Sequence, residues 1–192
     1  MSESTLQLHI HPTAVVSSDV ECRGAGTITI GAYSVIETRV ILDTGTEKGV
    51  ISISSRSKIK SGTLLRCYGN EIHIGHRVSI GEYSLVAAHG GVRIGDYTMI
   101  GPYTMINAAS HIIEGDEQFR FQGEIARGID IGEDVWIGAR CTVLDNVRIA
   151  HRSIIGAHSL VNRSTIPETI SVGTPAKLLK HIRPEERVEG NQ

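Results

Sequence analysis

Ile131-Gly132-Glu133-Asp134-Val135-Trp136-Ile137-Gly138-Ala139-Arg140-Cys141-Thr142-Val143 decides the fold. Isoleucine or valine falls at 131, 137, 143, 149, 155 and 161, six residues apart without a slip, and glycine often follows (Gly132, Gly138, Gly156). A period of six matches neither the 3.6 of an amphipathic helix nor a strand with a hairpin turn, so the repeating unit is one short strand plus one corner. Three units close a triangular turn of a parallel β-helix, with each strand bonded to the strand one turn below. The first residue of each unit is aliphatic and the fifth small, as in Ile137 with Cys141, Ile155 with Ser159 and Ile100 with Thr104. Those two positions are expected to point inward. Glycine at the second is expected to supply backbone angles that a side chain would forbid.

Upstream the beat loosens. It runs through Ile74, Ile80 and Val86, jumps in phase by two at His89-Gly90-Gly91, and resumes at Ile94, Ile100 and Ile106. Earlier still it passes through Ile30, Ile36, Ile53, Ile59 and Leu65, with Thr44 to Gly49 reading as a small loop. A first coil at Ile10-His11-Pro12-Thr13-Ala14-Val15 and a last at Val172-Gly173 make residues 10–173 one elongated domain of about eight turns.

Composition agrees. With 192 residues the chain is long enough for one domain, and its 4% aromatic content suits a thin prism without room for packed rings. A net charge of -2 lacks the basic excess of a nucleic-acid binder. Cys22, Cys67 and Cys141 are odd in number and widely spaced, which suggests neither a disulfide framework nor a zinc knuckle and makes a reducing cytoplasm the expected location. Met1 to Thr5 lacks the features of a signal peptide, and no run reaches the length of a membrane span.

Two segments break the repeat. Between Ile106 and Ile131 the beat vanishes, so residues 107–130 must loop out from a corner. This loop carries one histidine, His111, then Glu114, Asp116, Glu117, Arg120, Glu124 and Arg127. After Gly173, Thr174-Pro175-Ala176-Lys177-Leu178-Leu179-Lys180-His181-Ile182 is expected to form a short helix opened by proline, capping the prism within a C-terminal segment 174–192 that ends in a polar tail.

Ile131 to Ala139, Ile155-Gly156-Ala157-His158-Ser159 and Val172-Gly173-Thr174-Pro175-Ala176-Lys177 together resemble the hexapeptide-repeat acyltransferases. The likeness is greatest to the branch of galactoside, maltose and xenobiotic acetyltransferases and polysaccharide O-acetyltransferases. It covers most of residues 10–183, and its specific part is Asn107 to Lys177. The resemblance implies an all-β, left-handed parallel β-helix, an exception to the right-handed crossover rule. It also implies a homotrimer with acetyl-CoA as co-substrate between neighbouring prisms.

In that family a histidine opening the protruding loop is the catalytic base, and His111 holds that place. The chemistry agrees: a sugar hydroxyl attacking a thioester needs a group that takes its proton as the C–O bond forms, and imidazole titrates near neutral pH. Trp136, outward at the sixth position of its repeat, is either a wall of the acetyl-CoA cleft or a subunit contact. Ala139 and Ala157 match positions along the pantetheine arm, or they only shape corners. Arg163 and Lys177 match basic positions near the CoA phosphates, and Lys180 and Arg183 add charge nearby, or they are ordinary surface charges. Asn107, Tyr83, His89 and Tyr103 are candidates for the acceptor pocket. Related chains often carry His-Pro or His-Asp; here the run is Ser110-His111-Ile112-Ile113-Glu114, with Phe119 and Phe121 following, which leaves the acceptor open.

A γ-carbonic-anhydrase-type zinc site shares the prism, but its usual pair of histidines five apart is replaced here by His111 and Asp116, so no metal is expected. A non-catalytic coil scaffold has no reason to keep the His111 loop with the Trp136 and Lys177 motifs. N-acetylation of an amino sugar is the alternative within the enzyme class; such enzymes frequently add an N-terminal nucleotide-binding unit, for which there is no room before Ile10. The expected function is acetyl-CoA-dependent O-acetylation of a saccharide hydroxyl on a bacterial surface polysaccharide or its precursor.

Overall fold

A computed structural model describes residues 5–46 and 48–182, which wind into a three-faced parallel β-helix. The first face holds seven parallel strands, from Gln7–Ile10 to Arg148–Ile149. The second runs from Val15–Val16 to Thr169–Val172, and the third from Glu21–Arg23 to Leu160–Val161.

Inward ladders on all three faces build the core, the first face adding a second one through Ile28, Ile51, Ile72, Val92 and Ile129. On the first face Ile10, Ile30, Ile53, Ile74, Ile94, Ile131 and Ile149 stack directly over one another. On the second, Ile36, Ile59, Ile80, Ile100, Ile137 and Ile155 do the same, and on the third Leu42, Leu65, Val86, Ile106, Val143 and Val161. From Ile30 onward these ladder residues are 3% exposed or less, so stacking supplies a dry core that a single coil could not. Ile10, on the uncovered first coil, is 44% exposed.

Coil length follows from the same register. Successive residues of the first-face ladder are 20, 23, 21, 20, 37 and 18 residues apart. Only the late coils keep eighteen, which is why seven strands stand where uniform coils suggest about eight turns. All the extra residues sit at one corner, between the third and first faces, including Thr44–Gly49, His89-Gly90-Gly91 and the loop at 107–130. The other two corners keep six residues between inward positions.

The fifth, small position does more than let the chain turn. Its buried hydroxyls bond one coil to the next: Ser57 Oγ donates to the Gly75 carbonyl at 2.7 Å and accepts from the Val78 amide at 3.1 Å. Thr104 repeats this with the Gly138 carbonyl and the Cys141 amide, at 3.2 and 3.4 Å. Corner polar groups are thereby satisfied inside an apolar prism.

Glycine at the second position has a different role from the one expected. The left-handed residue is the fourth, including Tyr33, Tyr83, Tyr103, Asp134, Arg140 and His158, with φ between 52° and 63°. Second-position glycines are required by close approach: a Cβ on Gly101 or Gly138 would lie 2.5 Å from the amide nitrogen of Ala139 or Ala157 in the next coil.

The C-terminal segment is not a helix. Lys177–His181 is a strand, antiparallel to Thr169–Val172, and the one helical element among the described residues is the 3₁₀ turn Phe119–Phe121. The open edge of the second face offers unpaired amides and carbonyls, and pairing with them outweighs the helical pattern of Lys177-Leu178-Leu179-Lys180. Residues 183–192, with Arg183 and the polar tail, lie outside the described residues. No helix among the described residues is long and apolar enough to cross a membrane.

Candidate active site at the protruding loop

The loop leaves the prism after Met105–Asn107 and returns at Ile129–Ile131, its two limbs held by a short antiparallel pair in which His111 faces Glu124. The return limb is fastened below by Asp145, which accepts hydrogen bonds from the Arg127 amide at 2.9 Å and the Gly128 amide at 2.8 Å. It lies against the His89-Gly90-Gly91 bulge so closely that a Cβ on Gly90 would meet the Gly128 nitrogen at 2.5 Å.

His111 is exposed, with Nδ1 3.3 Å from the Gly123 carbonyl oxygen. A carbonyl only accepts, so in the neutral ring Nδ1 carries the hydrogen and Nε2 the free lone pair. Glu124 stands on the other side, its carboxylate 4.0 Å from His111 Nε2 and 3.4 Å from His89 Nδ1. His89 in turn stacks on Tyr68, ring centroids 3.5 Å apart, and the Arg66 guanidinium lies over Tyr68 at 5.6 Å. Glu124 therefore joins two histidines that are 22 positions apart in sequence. Its importance is hidden from the sequence, because it depends on how the return limb pairs. Among the described residues, no group of three or more His, Cys, Asp or Glu side chains is arranged to hold a metal ion.

The other candidates fall into four places. His89 and Asn107 lie near the foot of the loop, where Asn107 Nδ2 donates to the Ala109 carbonyl at 3.2 Å. Tyr83 and Tyr103 are on a different prism edge, between the second and third faces, stacked at 5.5 Å with Arg39 and Arg140 over their outer sides. Within one chain they do not meet His111. Ala139 and Ala157 occupy that same edge in successive coils, joined through the His158 amide and the Ala139 carbonyl at 2.9 Å.

Trp136 is 52% exposed on the second face. An outward ladder runs from Met99 through Trp136, Ile154 and Ile170 to Lys180, so Trp136 and Lys180 share a face about 14 Å apart. Lys177 begins the same terminal strand. Arg163 is separate: it lies past the end of the third face and lines a cavity of about 240 Å³ with Thr165, Ile166 and Ala176.

A family model for bacterial transferase hexapeptide repeats (six repeats) matches residues 128–163. The galactoside O-acetyltransferase of Escherichia coli is 29% identical over 121 residues, 62% of this chain and 59% of that protein. The crystal structure of a maltose O-acetyltransferase from Clostridium difficile superposes with a TM-score of 0.58 at 29% identity, covering 73% of this chain and 70% of that one. An N-acyltransferase from Bacillus cereus in complex with dTDP and coenzyme A gives 0.63 at 22% identity, covering 93% of this chain and 85% of that one, a likeness of fold. The chain spans less than two thirds of the length of the first curated relatives it matches.

Proposed function

The chain belongs to the hexapeptide-repeat transferases, and from that premise we propose that it is an acetyl-CoA-dependent O-acetyltransferase acting on a saccharide hydroxyl. The observation that carries the reading is His111 at the foot of the loop, with Nδ1 against the Gly123 carbonyl and Nε2 turned free beside Glu124. The acceptor hydroxyl attacks the thioester carbonyl while His111 Nε2 takes its proton. The C–S bond then breaks, and the proton passes to the departing thiolate.

The cofactor arm of the proposal has Trp136 beside the reactive end, Ala139 and Ala157 along the pantetheine, and Lys177 and Lys180 toward the phosphates. The shared second face of Trp136 and Lys180 and the adjacent corner of the two alanines support it. Arg163 fits it less well, being at another corner. A homotrimer is proposed on the same grounds: Ile113, Phe119 and Phe121 leave the loop with an apolar surface, each at least 64% exposed. The acceptor is proposed as a bacterial surface polysaccharide or its precursor. The working compartment is proposed as the cytoplasm, in keeping with three unpaired cysteines.

The test is thiol release from acetyl-CoA across a panel of sugars, amino sugars included, with the native chain and His111→Ala. Sugar-dependent release that drops by about 10² to 10⁴ in the variant is expected. Equal turnover by the variant would remove His111 from its role, and release only with amino sugars would replace O- with N-acetylation.

A further inference from the structure

Beside the foot of the loop, a polar groove of about 410 Å³ runs down the first face. Its floor is the backbone of Gly90, Gly91 and Gly128, and its outward ladder is His73, Arg93, Asp130 and Arg148, spanning about 14 Å over four strands. Several of the polar and charged side chains there have partners among themselves. His73 Nε2 is 2.7 Å from Glu71, Arg148 Nε is 3.5 Å from Asp130, and Asp145 below is held by backbone amides. Arg93 and Arg127 are left over: no described residue forms an ion pair with either guanidinium, and both are exposed.

We infer that this groove is an acceptor subsite for an anionic saccharide, with Arg93 and Arg127 holding an oxyanion on the sugar chain. The inference rests on the acetyltransferase reading for its placement beside His111. Two guanidinium groups with no ion pair to a described residue, over a glycine-lined groove, present planar pairs of donors, which match a carboxylate or a phosphate better than a neutral hydroxyl. Arg127 is three residues past Glu124 on the return limb, and Gly90 follows His89 directly. An acceptor anchored in the groove by one sugar unit therefore presents the next toward His111. The first face carries no outward apolar strip, so the groove stays open if the other two faces are covered.

The test uses the full chain, native and Arg93→Gln/Arg127→Gln, with one oligosaccharide in four forms: uronic acid, uronate methyl ester, a sugar phosphate and the neutral parent. Calorimetric titration without acetyl-CoA reads the groove directly, and thiol release reads kcat/KM. The acid is expected to bind the native chain at least about tenfold more tightly than its ester, with the preference shrinking in added salt and falling toward unity in the double variant. A matching preference for the sugar phosphate would make the ligand any sugar oxyanion, and its absence would restrict it to carboxylates. Equal binding of acid and ester by the native chain overturns the inference, as does a preference that survives in the double variant. If the double variant melts early, the two single variants carry the same comparison. Because the titration needs no acetyl transfer, a chain that releases no thiol with any sugar would refute the transferase reading while the titration still decides the groove.

Discussion

Asp43 accepts a hydrogen bond from the Gly45 amide and one each from Arg23 Nε and Arg66 Nε, all at 2.9 Å. Burial opposes its charge, and those donors outweigh burial, so its carboxyl is held below the usual carboxylate range. The contribution is fully present above the unfolded pKa of about 3.9 and is lost as pH falls through the lower folded value. Asp43→Asn is therefore expected to cost about 1 to 3 kcal/mol at pH 7. In urea unfolding, the gap from the native chain should close below about pH 4; a gap that stays constant from pH 7 to pH 3 would show that the charge is not what matters. Asp43 also steadies the site at a distance, since Arg66 lies over Tyr68 and Tyr68 stacks on His89. None of this is legible in the sequence, where Asp43 lies 20 residues from Arg23 and 23 from Arg66, because their contact depends on the length of each coil.

At the scale of elements, the prism tolerates insertions at one corner only. The step between inward residues there is 8 from Cys22 to Ile30, 11 from Leu42 to Ile53, 9 from Leu65 to Ile74, and 25 across the protruding loop. The beat at 131–161 reads directly from the sequence because those coils carry no insertion, whereas upstream the same beat is interrupted by glycine-containing bulges. The loop itself is legible as a gap in the beat, with His111 as its lone histidine. Glu124 is not, because nothing in the sequence shows which residue of the return limb faces His111. The terminal strand is missed for a related reason: Lys177 to His181 has helical spacing, and only the unpaired edge beside it selects a strand. Removing Ser110 to Ile125 would reduce the Ile106–Ile131 step to that between Leu65 and Ile74. The excised chain is expected to keep its strand content and cooperative melting by circular dichroism, because Val92–Ile94 still pairs with Ile129–Ile131, and to lose all sugar-dependent thiol release. Loss of cooperative folding would mean that the loop is part of the scaffold.

The three faces differ on their outer sides, and the difference bears on assembly. The first is polar, with His73, Arg93, Asp130 and Arg148 in its outward ladder. The second carries Met99, Trp136, Ile154 and Ile170, and the third Ile41, Leu64, Leu85 and Met105. A β-helix keeps its own core inside, so outward apolar ladders on two faces gain nothing in an isolated prism and favour burial against other chains. Two apolar faces meeting at one edge suit a closed ring in which the second face of each copy meets the third face of the next. Met105 tests this, being 39% exposed and outward, so a glutamate there leaves the prism interior untouched. Met105→Glu is expected to shift sedimentation from three chains toward one and to lower the melting temperature, because a carboxylate buried between copies costs several kcal/mol. Thr29→Glu, outward on the polar first face, should sediment as the native chain does. If the native chain sediments as a monomer the ring is wrong, and if Met105→Glu leaves a native trimer intact the third face is not its seam. In a ring built this way the first face points outward in every copy, which leaves the arginine groove beside His111 open to a long acceptor.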